Sequence, residues 1–147
     1  MADEVSDTVK GDGWSVGSVD GMGDGPGFRK VRRELDVTEF GANVVVMPEG
    51  YDAGTHFHDE QQELYVVLRG AIEIEFPGDG RSFVLREGGM ARVDAPTQRH
   101  IRNAGAGDAA YFIVGGKGGY VGRDGRVPEG EEGRVRALHD LGGSAEG

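Results

Sequence analysis

Four residues with metal-binding side chains occur at spacings that suit a single site. His56 and His58 are separated by one residue, Glu63 follows after a short turn, and His100 stands further along the chain. Alternate residues of an extended segment point to the same side, so both imidazoles can face one ion. A neighbouring strand lies only about 5 Å away, within reach of the Glu63 carboxylate. A barrel that closes on itself would bring His100 to the fourth position, and we predict that these four residues bind one metal ion.

The types of ligand restrict the metal. The chain has no Cys, so thiolate ligands and disulfides are excluded. Imidazole and carboxylate ligands suit one divalent transition metal per chain; iron or manganese is favoured, with nickel, zinc, copper and cobalt as alternatives. Two imidazoles and one carboxylate with open positions are typical of non-haem iron centres that react with oxygen.

Short apolar runs separated by turn residues predict an all-β fold from residue 28 onward. The runs are rich in Val, Ile, Phe and Tyr, and the gaps between them are too short for crossover helices. The alternation in Ile72-Glu-Ile74-Glu-Phe76 indicates a strand with one polar face. The predicted strands are Phe28–Leu35, Ala42–Met47, Glu63–Leu68, Ala71–Phe76, Arg81–Arg86, Met90–Asp94, Arg99–Asn103 and Ala110–Val114.

The two ends of the chain differ in composition from this barrel. Residues 1–27 are rich in Gly and Asp and poor in apolar periodicity, so we expect a flexible N-terminal arm with only a short patch around Trp14 packed. We assign residues 28–120 to the barrel and residues 121–147 to a C-terminal loop and tail. Within that tail Glu131–Leu141 has the apolar spacing of a short helix. No internal repeat appears, so one barrel is expected.

The net charge bears on partners and location. The formal charge of -10 repels phosphate backbones and anionic membrane surfaces, so neither nucleic acid nor membrane is an expected partner. The first residues are acidic and polar, and no run of about 18 apolar residues occurs. We therefore expect a soluble, cytoplasmic protein.

The histidine segment resembles the first sequence motif of the cupin superfamily. That motif consists of Gly, five residues, His-X-His, three or four residues, Glu, six residues and Gly. Every position is met, by Gly50, His56, His58, Glu63 and Gly70. The match is highly specific, because both residue types and spacings agree.

The second cupin motif is met less fully by residues 89–103. It consists of Gly, five residues, Pro-X-Gly, two residues, His, three residues and Asn. Counted from Gly89, His100 occupies the histidine position, but Ala and Thr replace the motif Pro and Gly, and Asn103 comes one residue early. A bulge at this point would swing Arg102 outward and Arg99 inward, so two registers remain open.

The resemblance implies a double-stranded β-helix, or jelly-roll barrel, of the small single-domain cupin type with a bound metal, but it does not imply one reaction. Our first hypothesis is a metal-dependent oxidoreductase, a dioxygenase that acts on a small oxygenated organic compound. One alternative is a metal-dependent isomerase, epimerase or lyase that uses the ion as a Lewis acid. A second alternative is a non-catalytic ligand-binding or sensor protein.

Similar small barrels commonly form two-fold homodimers. The predicted strand Phe28–Leu35 is a candidate to join the partner's sheet. Leu64, Val66 and Leu68 place apolar side chains on the face opposite the predicted ligands. We expect some of that surface to meet the second subunit.

Strand alternation places further polar side chains near the predicted ligands. Tyr65 shares a face with Glu63 and is a candidate catalytic residue that moves protons. Gln98 and Arg102 share a face with His100 and are candidate substrate-binding residues. The Arg102 guanidinium would hold a substrate carboxylate in a bidentate pair.

Overall fold

Short strands make up most of the regular structure in residues 2–130, the part of the chain that the computed structural model describes. The strands are β1 (Val9–Gly11), β2 (Trp14–Val16), β3 (Gly27–Arg29), β4 (Gly41–Met47), β5 (Asp52–His58), β6 (Gln62–Arg69), β7 (Ala71–Phe76), β8 (Arg81–Arg86), β9 (Met90–Val93), β10 (Arg99–Asn103), β11 (Ala109–Gly116) and β12 (Gly125–Arg126). A 3-10 turn covers Val19–Met22, and one helix, α1, covers Val31–Glu34. The predicted helix within Glu131–Leu141 lies outside the described residues.

Ten of these strands form two five-stranded antiparallel sheets. The first sheet has the order β3-β4-β11-β6-β9, and the second has the order β12-β5-β10-β7-β8. The chain passes from one sheet to the other at each connection from β4 to β7 and again at each connection from β8 to β12. This is a double-stranded β-helix, so the predicted all-β jelly-roll fold is confirmed.

The core lies between the two sheets. Val45 and Met47 from the first sheet meet Ile72, Ile74 and Ile101 from the second, and each is at most 1% exposed. Burial of an aliphatic side chain of this size contributes roughly 1.5–3 kcal/mol. A slip of one residue would turn these side chains to the solvent, so the core fixes the strand register that positions the site.

Two residues of the cupin motifs shape the connections between sheets. Gly70 has a φ of 72°, and a Cβ added there would lie 2.8 Å from the carbonyl oxygen of Asp108. The Asn103 side chain donates hydrogen bonds from Nδ2 to the carbonyl oxygens of Met47 and Gly107, at 3.2 and 2.8 Å. Asn103 therefore has a structural role, joining the end of β4 to the turn after β10.

The N-terminal residues pack on the outer face of the first sheet. β1 and β2 form a separate hairpin, a structure that the Gly-rich composition did not predict. Further along, Met22 and Leu35 contact a buried cluster that includes Val44 and Val46 of β4. This packing covers the outer surface of the sheet at β4 and β11.

The predicted strand Phe28–Leu35 is wrong beyond Arg29. The chain leaves the sheet after that residue and forms α1, whose Val31 is buried against β4. β3 pairs with β4 of the same chain. A three-residue strand followed by a four-residue helix is too short to produce a periodic pattern, so the apolar residues were interpreted as one strand.

Among residues 2–130 there is no helix with the length and apolarity needed to cross a membrane.

Candidate metal centre

His56 and His58 face Glu63 across the interior of the barrel. The two histidines lie on β5 in the second sheet, and Glu63 lies on β6 in the first sheet. The short turn between His58 and Glu63 had suggested that the carboxylate lies on a hydrogen-bonded neighbour of β5. It comes instead from the facing sheet. One ligand atom from each residue lies within 4.8 Å of the others, so the three form a group that could hold a metal ion.

The Glu63 carboxylate is the centre of this group. Its Oε1 atom lies 3.1 Å from His58 Nε2 and 3.7 Å from His56 Nε2. The Tyr65 hydroxyl donates a 2.5 Å hydrogen bond to the same oxygen. Tyr65 is thus at the site, as strand parity predicts, and its proton is held by Glu63. The His56 side chain is 22% exposed, so this side of the group is open to solvent.

Burial and hydrogen bonding control the protonation of the group. Burial lowers the pKa of His56. Burial also opposes charge on His58 and Glu63, but the hydrogen bonds between imidazole and carboxylate outweigh it, so the pKa of His58 is raised and that of Glu63 is lowered. Burial beside the Glu63 charge raises the pKa of Tyr65 well above its ordinary value. At neutral pH the group therefore contains a carboxylate and a neutral phenol.

The donor set fits a divalent transition metal. His58 Nδ1 lies 2.8 Å from Asp124 Oδ1, and because a carboxylate only accepts, Nδ1 carries the proton of that hydrogen bond. In the neutral ring Nε2 then presents its lone pair to the Glu63 carboxylate, 3.1 Å away, whereas in the protonated ring that the raised pKa favours it donates a hydrogen bond to that carboxylate. Two facing lone pairs at that distance need a cation or a proton between them. Neutral imidazole and carboxylate are the ligands that such a cation takes.

Asp124 supports the site from outside the barrel motifs. Besides His58, its carboxylate accepts hydrogen bonds from the backbone N–H groups of Glu60 and Gln61, both at 2.8 Å. Burial raises its pKa, but these hydrogen bonds outweigh burial and the pKa is lowered. β12 pairs with β5 and brings Asp124 to His58. The two residues are 66 positions apart, so nothing local in the sequence identified Asp124.

The structure does not bring His100 to the group, which corrects its prediction as a fourth ligand. On β10, Arg99 lies opposite His56, and His100 lies opposite Thr55. Alternate side chains of a strand point to opposite faces, so Arg99 enters the interior and His100 faces outward. There the His100 ring lies between the carboxylates of Asp52 and Glu75, with Nε2 2.5 Å from Asp52 Oδ1 and Nδ1 3.3 Å from Glu75 Oε1.

The two predicted substrate-binding residues share the outward face of His100. Gln98 is exposed in the turn before β10. Arg102 donates a 2.8 Å hydrogen bond to Glu73 on the outer side of the second sheet. Gln98 and Arg102 lie on the same side of the strand as His100, as predicted. That side faces outward, whereas the prediction placed it toward the metal. The pairing of β10 with β5 shifts between His100 and Arg102, but the extra residue lies on β5, where three steps from Thr55 to Asp52 oppose two steps on β10. The strand β10 pairs regularly with β7, so the expected bulge of β10 is not found, although Arg99 faces inward and Arg102 outward as the second register predicted.

Arg99 takes the interior position beside the group. Its side chain has no solvent exposure, and its Nη2 atom lies 3.8 Å from Glu63 Oε1. Nη2 also makes long hydrogen bonds, of 3.5 and 3.4 Å, to the carbonyl oxygens of Val93 and Asp94. Within residues 2–130, nothing accepts a hydrogen bond from Nε or Nη1. The site therefore contains a buried guanidinium with unused donors.

The fold and this group define a small β-barrel protein with two imidazoles and one carboxylate gathered in its interior. The sequence model of the family described as "Cupin domain" matches residues 43–115, which include most of β4, all of β5 to β10 and most of β11. The chain belongs to the cupin superfamily. A comparison with curated proteins found no match.

Several solved structures share the fold. A cupin protein from Bacteroides fragilis is 22% identical with a TM-score of 0.55, over 64% of this chain and 77% of that one. A sugar phosphate isomerase from a cupin superfamily, from Silicibacter pomeroyi, is 23% identical with a TM-score of 0.56, over 72% of this chain and 60% of that one. The Cnp3 cupin domain of Schizosaccharomyces pombe is 22% identical with a TM-score of 0.50, over 54% of this chain, which spans about half (53%) of that one. At these identities the likeness shows the fold alone.

Proposed function

We propose that this chain is a metal-dependent oxidoreductase, a dioxygenase that acts on a small oxygenated organic compound. The observation that supports this is the composition of the group: His56, His58 and Glu63 come together, and no third imidazole joins them among the described residues. Two imidazoles and one carboxylate are typical of non-haem iron centres that use oxygen, and they occupy only about half of six octahedral positions. Iron bound there would supply the redox chemistry that dioxygen requires.

The side chains of the barrel prepare the site for such a reaction. Asp124 fixes the tautomer and orientation of His58, and Tyr65 fixes the Glu63 carboxylate. Behind Tyr65 lies the apolar core, in which Tyr111 and Val93 are buried, so bulk water is kept from that side. A substrate approaches past His56, the partly exposed member of the group.

A metal analysis of matched histidine variants tests the site. Protein expressed without chelators should contain about one iron or manganese per chain. His58→Ala should lose most of that metal and remain folded, because the core comes from the strands. His100→Ala, on the outer face of β10, is the control and should keep it. Loss of metal from His100→Ala but not from His58→Ala would contradict the three-residue site.

Oxygen uptake tests the reaction. The iron-loaded protein should consume oxygen with a bidentate compound, for which pentane-2,4-dione and mandelate are the probes. Glu63→Ala, given the same total iron, corrects for free iron in solution and should show only background uptake. Equal oxygen uptake by both proteins would contradict a dioxygenase. Turnover of the probe without oxygen, in the presence of manganese, nickel or zinc, would also contradict it and would point to the isomerase or lyase alternative.

A further inference from the structure

Arg99 is a charged side chain in an interior position without a matching partner. The guanidinium is fully buried, and two of its three nitrogen atoms donate no hydrogen bond within the described residues. A buried charge is costly unless it is paired and hydrogen-bonded, and a guanidinium is not relieved by deprotonation. The fold retains this charge next to the metal group.

Glu63 does not satisfy Arg99. The 3.8 Å between Nη2 and Oε1 is too long for a hydrogen bond. The same oxygen already accepts from the Tyr65 hydroxyl and faces His58 Nε2. A cation bound to Glu63 would further reduce the negative charge available to Arg99.

The charges that face this interior leave room for one anion. Glu63 and Asp124 are negative, Arg99 is positive, and Tyr65 keeps its proton in the hydrogen bond that it donates to Glu63. A divalent cation then gives an excess of one positive charge among these groups. A single carboxylate would balance that excess, and its two oxygens match the paired N–H groups of a guanidinium.

We propose that Arg99 binds the carboxylate of the substrate, so that the site takes a small monocarboxylate that also carries a hydroxyl or carbonyl oxygen for the metal. This inference rests on the proposed function and narrows its substrate class. It gives Arg99 the role that strand parity had assigned to Arg102. The unused Nε and Nη1 donors are the atoms that the carboxylate satisfies.

Calorimetric binding with zinc-loaded protein tests the inference without any turnover. Glycolate is the probe, and glycolamide is its uncharged counterpart. Glycolate should bind, and glycolamide should bind at least about tenfold more weakly, because charge-assisted hydrogen bonds are lost. Arg99→Met should weaken glycolate binding by about tenfold to a hundredfold, and Arg99→Lys by less, since it keeps the charge but loses the paired donors. Zinc content should stay near that of the wild type.

Arg102→Met is the matched control, since it removes an arginine of the same strand from the outer face. Its glycolate affinity should equal that of the wild type. Equal binding of glycolate and glycolamide, tighter binding of inorganic phosphate than of glycolate, or a loss in Arg102→Met instead of Arg99→Met would each overturn the inference. In metal-free wild-type protein, glycolate should still bind more tightly than glycolamide; this comparison removes the attraction of zinc for the carboxylate and does not require Arg99→Met to fold.

The two proposals can fail separately. If no metal binds, the proposed function fails, but metal-free protein should still bind glycolate weakly and in a way that depends on Arg99. If zinc binds but Arg99→Met does not change glycolate affinity in either the zinc-loaded or the metal-free protein, the proposed carboxylate site is wrong and the metal centre stands.

Discussion

Individual contacts hold the two histidines of the metal centre in different ways. His58 is buried between Glu63 on one side of its ring and Asp124 on the other. His56 is partly exposed and has the Tyr65 hydroxyl 3.3 Å from its Nε2. His58 is therefore the more fixed ligand, and its geometry depends on a residue that lies outside both cupin motifs.

Replacing Asp124 should weaken the metal centre. Asp124→Asn removes the charge that orients His58 and leaves the N–H groups of Glu60 and Gln61 with a weaker acceptor. Loss of such a supporting group typically lowers metal affinity by about 10- to 100-fold. Competition with a fluorescent zinc chelator measures the change. Asp79→Asn, in the exposed turn after β7, removes the same charge elsewhere and should leave the affinity unchanged.

Acid should displace the metal, because imidazoles must be neutral to coordinate it. Occupancy should fall as the pH drops below about 6. The pKa of His58 is raised and that of His56 is lowered, so a proton competes at His58 first as the pH falls, while Glu63, with its lowered pKa, stays charged through this range. Metal content after dialysis at a series of pH values tests this. Full retention at about pH 4.5 would be inconsistent with histidine ligands.

At the scale of the elements, the sequence predicts strands more reliably than faces. Alternating apolar residues define β7, and β8 and β10 also have the predicted bounds. The face of β10 could not be read in the same way, because Arg99 and His100 are both polar and apolar alternation does not separate them. Asn103 comes one residue early in the second cupin motif, and this was the available signal that the inward and outward faces of β10 are exchanged relative to that motif. The hydrogen bonds of Asn103 show why its position is fixed.

The structure of the N-terminal segment could also not be predicted from the periodicity of its apolar residues. Its hairpin, 3-10 turn and short helix each span only a few residues. The turn and the helix pack on β4, and the hairpin is held to Leu35 by a 2.7 Å hydrogen bond from the Ser15 hydroxyl. The compositional prediction of a flexible arm therefore needs a test of its own. Val44 provides one, because its side chain lies on the outer face of the first sheet and is 1% exposed under this segment.

Val44→Ala should lower the free energy of unfolding by roughly 2 kcal/mol, the effect of removing two buried methyl groups. Val84→Ala is the matched control, since Val84 lies on the outer face of the second sheet and is 53% exposed. Urea denaturation of both variants gives the comparison. Equal, small effects would show that the N-terminal residues leave the sheet uncovered in solution, as a flexible arm would.

For the whole molecule, charge and apolar surface act in opposite directions. Each chain has a net charge of -10, so two copies repel at low salt. The outer face of β6 and β9 nevertheless exposes three large apolar side chains, Leu64, Leu68 and Met90. Because β3 pairs with its own β4, we now expect this face, and not an exchanged strand, to form the predicted homodimer.

Sedimentation velocity over a dilution series tests the homodimer. Leu68→Lys should raise the dissociation constant about tenfold or more, because it places a charge in an apolar interface. Val84→Lys adds the same charge to the exposed outer face of the second sheet and should leave association unchanged. Raising the NaCl concentration should strengthen association of the wild type, since salt screens the repulsion between acidic chains and does not weaken apolar contacts. A wild-type chain that stays monomeric at high protein and high salt concentration would contradict the homodimer.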